Sequence, residues 1–230
     1  MNNAFAQNQI QNQRLASATR IAASTFGGIV SLAGVMHGCF ELLQGDAVPD
    51  GVVINAIGPG QRLWEYAALH ALTLIPNLRV TGILAIVVGL LATLWAVAFI
   101  ARSSGPWVMF ALSIALFLVG GGFGPPFNGT IAAMVASRIN KPFTWWRENL
   151  SPGVRYLLAK LWPGMLIFYV LMFFLAVGTT IFGLPLTLLF SPDTTYQIVL
   201  RSGNFMLLMM LLSVLSAFAH DIQVAEKARS

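Results

Sequence analysis

Residues 120–129, GGGFGPPFNG, decide how the chain is folded. Three consecutive glycines and a Pro-Pro pair break a helix, and they fall in the middle of a charge-free run from Ser103 to Ser137. That run is too long for one ordinary crossing of a roughly 30 Å hydrocarbon core and short for two full ones. Broken at its middle, it predicts two short limbs, Trp107–Val119 and Thr130–Ser137, arranged as a hairpin or as a span followed by a re-entrant segment. Non-helical backbone at such depth has to be buried in protein or line a wet cavity.

The rest of the chain supports lipid as its solvent. Of 230 residues, 57% are hydrophobic and 9% charged, and the mean hydropathy is +0.76, too little charged surface to cover a soluble globule. Further charge-free runs from Ile21 to Phe40, Val80 to Ala101, Leu161 to Pro192 and Ser202 to His220 reach or approach the roughly 20 residues a helical crossing needs. The fold expected is an all-α polytopic bundle of six crossings around a broken hairpin, with five crossings as the alternative. Residues 1–18 read as a polar Asn/Gln-rich tail, 19–221 as a single transmembrane domain, and 222–230 as a polar tail.

Charge placement orients the bundle. The formal charge of +5 comes from basic residues between apolar runs, the positive-inside pattern, and this argues against a nucleic-acid partner. Residues 138–160 are the most basic segment. With Trp145 and Trp146 among them they predict a cytoplasmic interfacial anchor, in which Ser151-Pro152 opens a short helix ending before Trp162-Pro163-Gly164. Both crossing models leave this segment and the C-terminus cytoplasmic, in what reads as a bacterial plasma membrane. Residues 46–78 form an extracytoplasmic cap in the six-crossing model, with QRLWEYAALHAL (61–72) as a short helix. A last span over about Asn204–His220 follows a polar loop, SPDTTYQ.

Ionisable groups inside apolar runs are costly and mark function by default. His37 and Glu41 lie four residues apart on the first helix, within hydrogen-bonding reach of each other, on the side that carries Gly27, Ser31, Gly34 and Gly38. Small residues so placed allow close helix approach, as do Gly82, Ala85, Gly89 and Thr93 on the second. The single cysteine, Cys39, points away and excludes internal disulfides and cysteine-only metal sites. Glu65 and His70, in the cap, complete the ligand-binding set. His220 and Asp221 are secondary candidates at the opposite end of the bundle.

There is no P-loop, dinucleotide fingerprint, HExxH, GxSxG or CxxC, and no metal or cofactor is assigned. The expectation is a membrane protein, more readily a non-enzyme, that binds or transports a small solute, cation or lipid near His37 and Glu41. The alternatives are a membrane-embedded hydrolase with zinc on His37, Glu41 and His70, completed by Glu65, and a non-catalytic subunit of a membrane complex or homo-oligomer.

Overall fold

The computed structural model describes residues 17–227. The expected tail over 1–18 therefore lies almost wholly outside the described residues. Helix α1 (Ala18–Leu43) starts on Ser17, whose side chain accepts from the backbone N–H of Arg20, a hydroxyl N-cap. It packs against α2, α4 and α7. Helix α2 (Leu78–Leu94) is capped by the Asn77 side chain, which accepts from Val80 N, and continues through a π-helical turn over 95–99. Helix α3 is Gly105–Leu118. After the glycines, a π-helical turn over 125–129 leads into α4 (Thr130–Ala136). Short α5 (Thr144–Asn149) precedes α6 (Pro152–Phe182) and α7 (Pro192–Lys227).

Four helical stretches are long and apolar enough to cross a membrane: 18–43, 78–99, 152–182 and 192–227. The two hairpin limbs expected from GGGFGPPFNG are present as α3 and residues 124–136, each shorter than a full crossing.

Glycine contacts show how the first three helices are matched. An added Cβ on Gly38 or on Gly82 would fall 2.6 Å from the carbonyl oxygen of the other, and one on Gly89 would fall 3.0 Å from Ser31 O. Seven residues down α1 thus correspond to seven residues up α2, so the two small-residue faces meet along an antiparallel seam. Met109 of α3 meets Gly27 and Leu116 meets Gly34, again seven apart in both, and α3 therefore climbs parallel to α1. Its end delivers the glycine turn to the level of His37 and Glu41.

Elsewhere the core is aromatic. Phe26 of α1 meets Tyr169 of α6 edge-on with ring centroids 4.9 Å apart, and Phe143, Trp146 and Phe218 cluster near the other end of the bundle. The outer faces stay apolar and exposed, for instance Ile83, Val87, Leu90 and Leu94 on α2, as expected of surface that meets lipid.

Three local expectations are corrected. The segment 61–72 is not a helix: a 3-10 turn at 59–61 is followed by strand β2 (His70–Leu72), antiparallel to β1 (Val53–Asn55) with Asn55 opposite His70. Asn55 Oδ1 takes the Ile57 and Leu69 N–H groups, drawing the chain into the hairpin. A segment this short has little helical stability of its own to oppose that. Second, Ser151 does cap a helix opened by Pro152, but α6 runs through Pro163 as one rod of 31 residues, about 46 Å long, instead of stopping at Trp162-Pro163-Gly164. It ends at Gly183, which has a positive φ of 72° and donates to Thr179 O, a left-handed cap. Third, SPDTTYQ is not a loop. Ser191 Oγ accepts from Thr194 N and α7 starts at Pro192, then continues through 222–227, the first part of the expected C-terminal tail.

Candidate functional site

The C-terminal third of α1 carries His37 and Glu41 into the interior. Glu41 is 0% exposed and His37 8%. Helix α2 covers them on one side because Gly38 and Gly82 let the backbones touch. The turn after α3 covers them on the other.

That turn is fitted to the pair. Gly120 has φ +96° and Gly122 φ +85°, conformations that L side chains rarely adopt. An added Cβ on Gly120 would lie 2.5 Å and 2.6 Å from the two carboxyl oxygens of Glu41, and one on Gly122 would lie 2.5 Å from His37 Nε2. Only a chain without side chains can close there. The turn is pinned from both flanks: Gly121 N donates to Leu116 O at 2.7 Å, and Gly120 N donates to Leu72 O of β2 at 2.9 Å. Leu74 N donates to Leu118 O, and Thr73 bridges Val119. The cap hairpin and the glycine turn are therefore one hydrogen-bonded unit lying over Glu41. Beside it, the buried Thr73 and Thr81 hydroxyls bond to each other at 2.9 Å, and the Thr81 methyl borders the same space as the Glu41 carboxyl.

Within this enclosure Glu41 Oε1 and Oε2 and His37 Nδ1 have no hydrogen-bond partner. The expected His37–Glu41 hydrogen bond is absent. Each side chain instead packs against its own glycine of the turn, two residues apart. Most buried polar groups in folded proteins are paired, so a wholly buried carboxyl with neither oxygen paired is an exception that calls for an explanation.

Glu65 and His70 are not in that enclosure. They line an outer cleft of about 410 Å³ between the cap and helices α6 and α7, together with Arg62, Trp64, Tyr66 and Tyr196. His70 begins the strand that holds the turn, and its imidazole is near enough to His37 to interact electrostatically. No three of His, Cys, Asp and Glu gather as a ligand group among the described residues. His37, Glu41 and His70, the residues of the zinc alternative, are not gathered as such a group, and His70 lines the outer cleft.

The cleft walls are ordered by polar contacts. Trp64 Nε1 donates to Thr180 O at 3.0 Å, Tyr66 stacks on Tyr196 with centroids 4.8 Å apart, and the Tyr66 hydroxyl bonds to Asp193. The bond to the Asp193 carboxylate, with lesser contributions from desolvation and neighbouring charge, pushes the Tyr66 phenol up to about 12.

His220 and Asp221 lie at the other end of α1. Asp221 Oδ1 accepts from Ala18 N at 2.8 Å and Oδ2 from Thr19 N at 3.0 Å, so the carboxylate caps the helix N-terminus, where orphan N–H groups and the dipole favour an anion. His220 Nδ1 lies 3.5 Å from Asp221 Oδ1, and its ring packs near Trp162. This pair closes the bundle and shares nothing with Glu41.

Sequence reading did not single out Gly120 and Gly122 as partners of the buried pair, nor Arg62, Trp64, Tyr66 and Tyr196 as a cleft. GGG signals a break, but its aim depends on the register of α3 against α1. Neither a known protein family, nor a curated protein, nor a solved structure matches this chain.

Proposed function

We propose that this is a multipass membrane protein that binds and moves a small solute, using Glu41 beneath the Gly120–Gly122 turn as an exchange site for a proton or a small monovalent cation. One observation carries the proposal: a carboxyl with 0% exposure and two unpartnered oxygens in a helix apolar enough to span. A bare carboxylate there would have no compensating charge, and burying an unpaired ion is prohibitively costly. A proton or cation has to accompany it, and release of that companion requires the turn to move. His37, one helical turn away, is the group next in line to receive a proton.

The accompanying topology is six passes, with α3 and residues 124–136 as two short ones matched to the Gly27–Glu41 stretch of α1, and the N-terminus, residues 138–160 and the C-terminus cytoplasmic.

Dicyclohexylcarbodiimide, an apolar reagent that modifies protonated carboxyls within membranes, tests the site. Mass spectrometry of treated membranes is expected to find the adduct on Glu41, suppressed by sodium or by raised pH and lost in Glu41→Gln. An unmodified Glu41, or labelling indifferent to both cations and pH, overturns the proposal.

A further inference from the structure

Beyond the buried pair, the outer cleft contains unspent recognition chemistry. Arg62 and Glu65 both line it, and neither side chain makes a hydrogen bond or ion pair among the described residues. Two opposite charges three residues apart that do not pair with each other leave one cationic and one anionic contact open. Aromatic faces line the same cleft: Trp64 meets Tyr66 edge-on at 5.7 Å, and Tyr66 stacks on Tyr196. Aromatic faces near a carboxylate favour an ammonium group, and a guanidinium favours a carboxylate or phosphate. The volume, about 410 Å³, falls within the range of small-ligand pockets. Val199 and Leu200 of α7 form an apolar side of the cleft.

We propose that this cleft is the recognition site for a small zwitterion carrying an ammonium and a phosphate group, the ammonium held by Glu65 against Trp64, Tyr66 and Tyr196 and the phosphate by Arg62. Such a group exists free, as phosphoethanolamine, and as the headgroup of phosphatidylethanolamine; the cleft chemistry is the same for both. Occupancy is linked to the buried carboxyl by β2, whose first residue, His70, lines the cleft and whose Leu72 carbonyl holds Gly120. This linkage, unlike the recognition itself, rests on Glu41 being the exchange site.

The test uses the full-length protein. Isothermal titration in detergent reads binding of free phosphoethanolamine, and native mass spectrometry after extraction from nanodiscs of mixed phosphatidylethanolamine and phosphatidylglycerol reads retention of the lipid. Saturable binding in either arm is expected, the arm that responds identifying the source. Glu65→Gln and Arg62→Gln should each weaken it about tenfold, the loss of one charge-assisted contact, with unchanged thermal unfolding because both side chains are exposed. Binding in neither arm, or undiminished binding in both cleft variants, overturns the proposal. Cleft binding without carbodiimide labelling of Glu41 would remove the exchange site and keep the cleft; labelling without cleft binding would do the reverse.

Discussion

Each end of α1 holds a carboxyl group, partly buried Asp221 at one and wholly buried Glu41 at the other, and they are treated in opposite ways. Asp221 comes from α7 to the N-terminal end and finds two backbone N–H donors there. Glu41, near the C-terminal end, lies against Gly120 of the glycine turn beside the methyl of Thr81, and neither of its oxygens is paired. The first arrangement stabilises one geometry, because the helix terminus and the anion each need what the other supplies. The second stabilises none in particular. A carboxyl held only by close packing gains a partner whenever the packing opens, which is the property an exchange site needs and a structural cap must lack.

The contrast can be broken most forcefully at Gly120. Alanine there has to adopt a positive φ and overlap the Glu41 oxygens, so unfolding in detergent should show a loss of about 2–4 kcal/mol. Combining it with Glu41→Ala should return part of that loss, since the overlap with the Glu41 oxygens disappears while that with the Thr81 methyl and the backbone strain stay, a non-additivity read by a double-mutant cycle. A costless Gly120→Ala would mean that the turn does not close on Glu41.

A smaller effect sharpens the other side. Asp221→Ala leaves the Ala18 and Thr19 N–H groups without their acceptor and should cost about 1–3 kcal/mol in the same unfolding measurement, with carbodiimide labelling of Glu41 unchanged. Reduced labelling together with reduced stability would show that the two ends are coupled and that the division into cap and exchange site is wrong.

The smallest effect concerns a third carboxylate, Asp193, at the surface. The fold favours the protonated Tyr66 phenol, so its contribution is present below the ordinary tyrosine range near pH 10 and is lost as pH rises through about 12. Asp193→Asn should shift the spectrophotometric titration of that phenol downward and leave cleft and core otherwise intact. An unshifted titration would detach the cap from α7 at this point.

Much of this arrangement was written locally. The glycine faces of α1 and α2 follow from spacing alone, and they do meet, because small residues at helical intervals have few other uses in an apolar helix. Asn77 and Ser151-Pro152 announce helix starts through their own side chains, and GGGFGPP announces a break. His37 and Glu41 stand out because charge inside an apolar run is rare. The features that escaped are relational. Asp221 and Ala18 are 203 positions apart, and no pattern within either segment names the other. The cap hairpin replaced an amphipathic-looking helix because Asn55 and β1 compete for the same backbone groups, an outcome decided between segments. The continuity of α6 through Pro163 was likewise not legible, since a proline read alone signals a stop.

Cys39 gives the geometry of α1 a practical meaning. It is the only cysteine in the sequence, it is exposed, and it lies between His37 and Glu41 on the outward side of the same turn. A nitroxide or fluorophore attached to this thiol would ride within one turn of both groups without entering their enclosure. The unaltered chain thus carries its own depth gauge, and collisional quenching from the lipid and from water would read how far beneath the bilayer surface the Glu41 carboxyl is held.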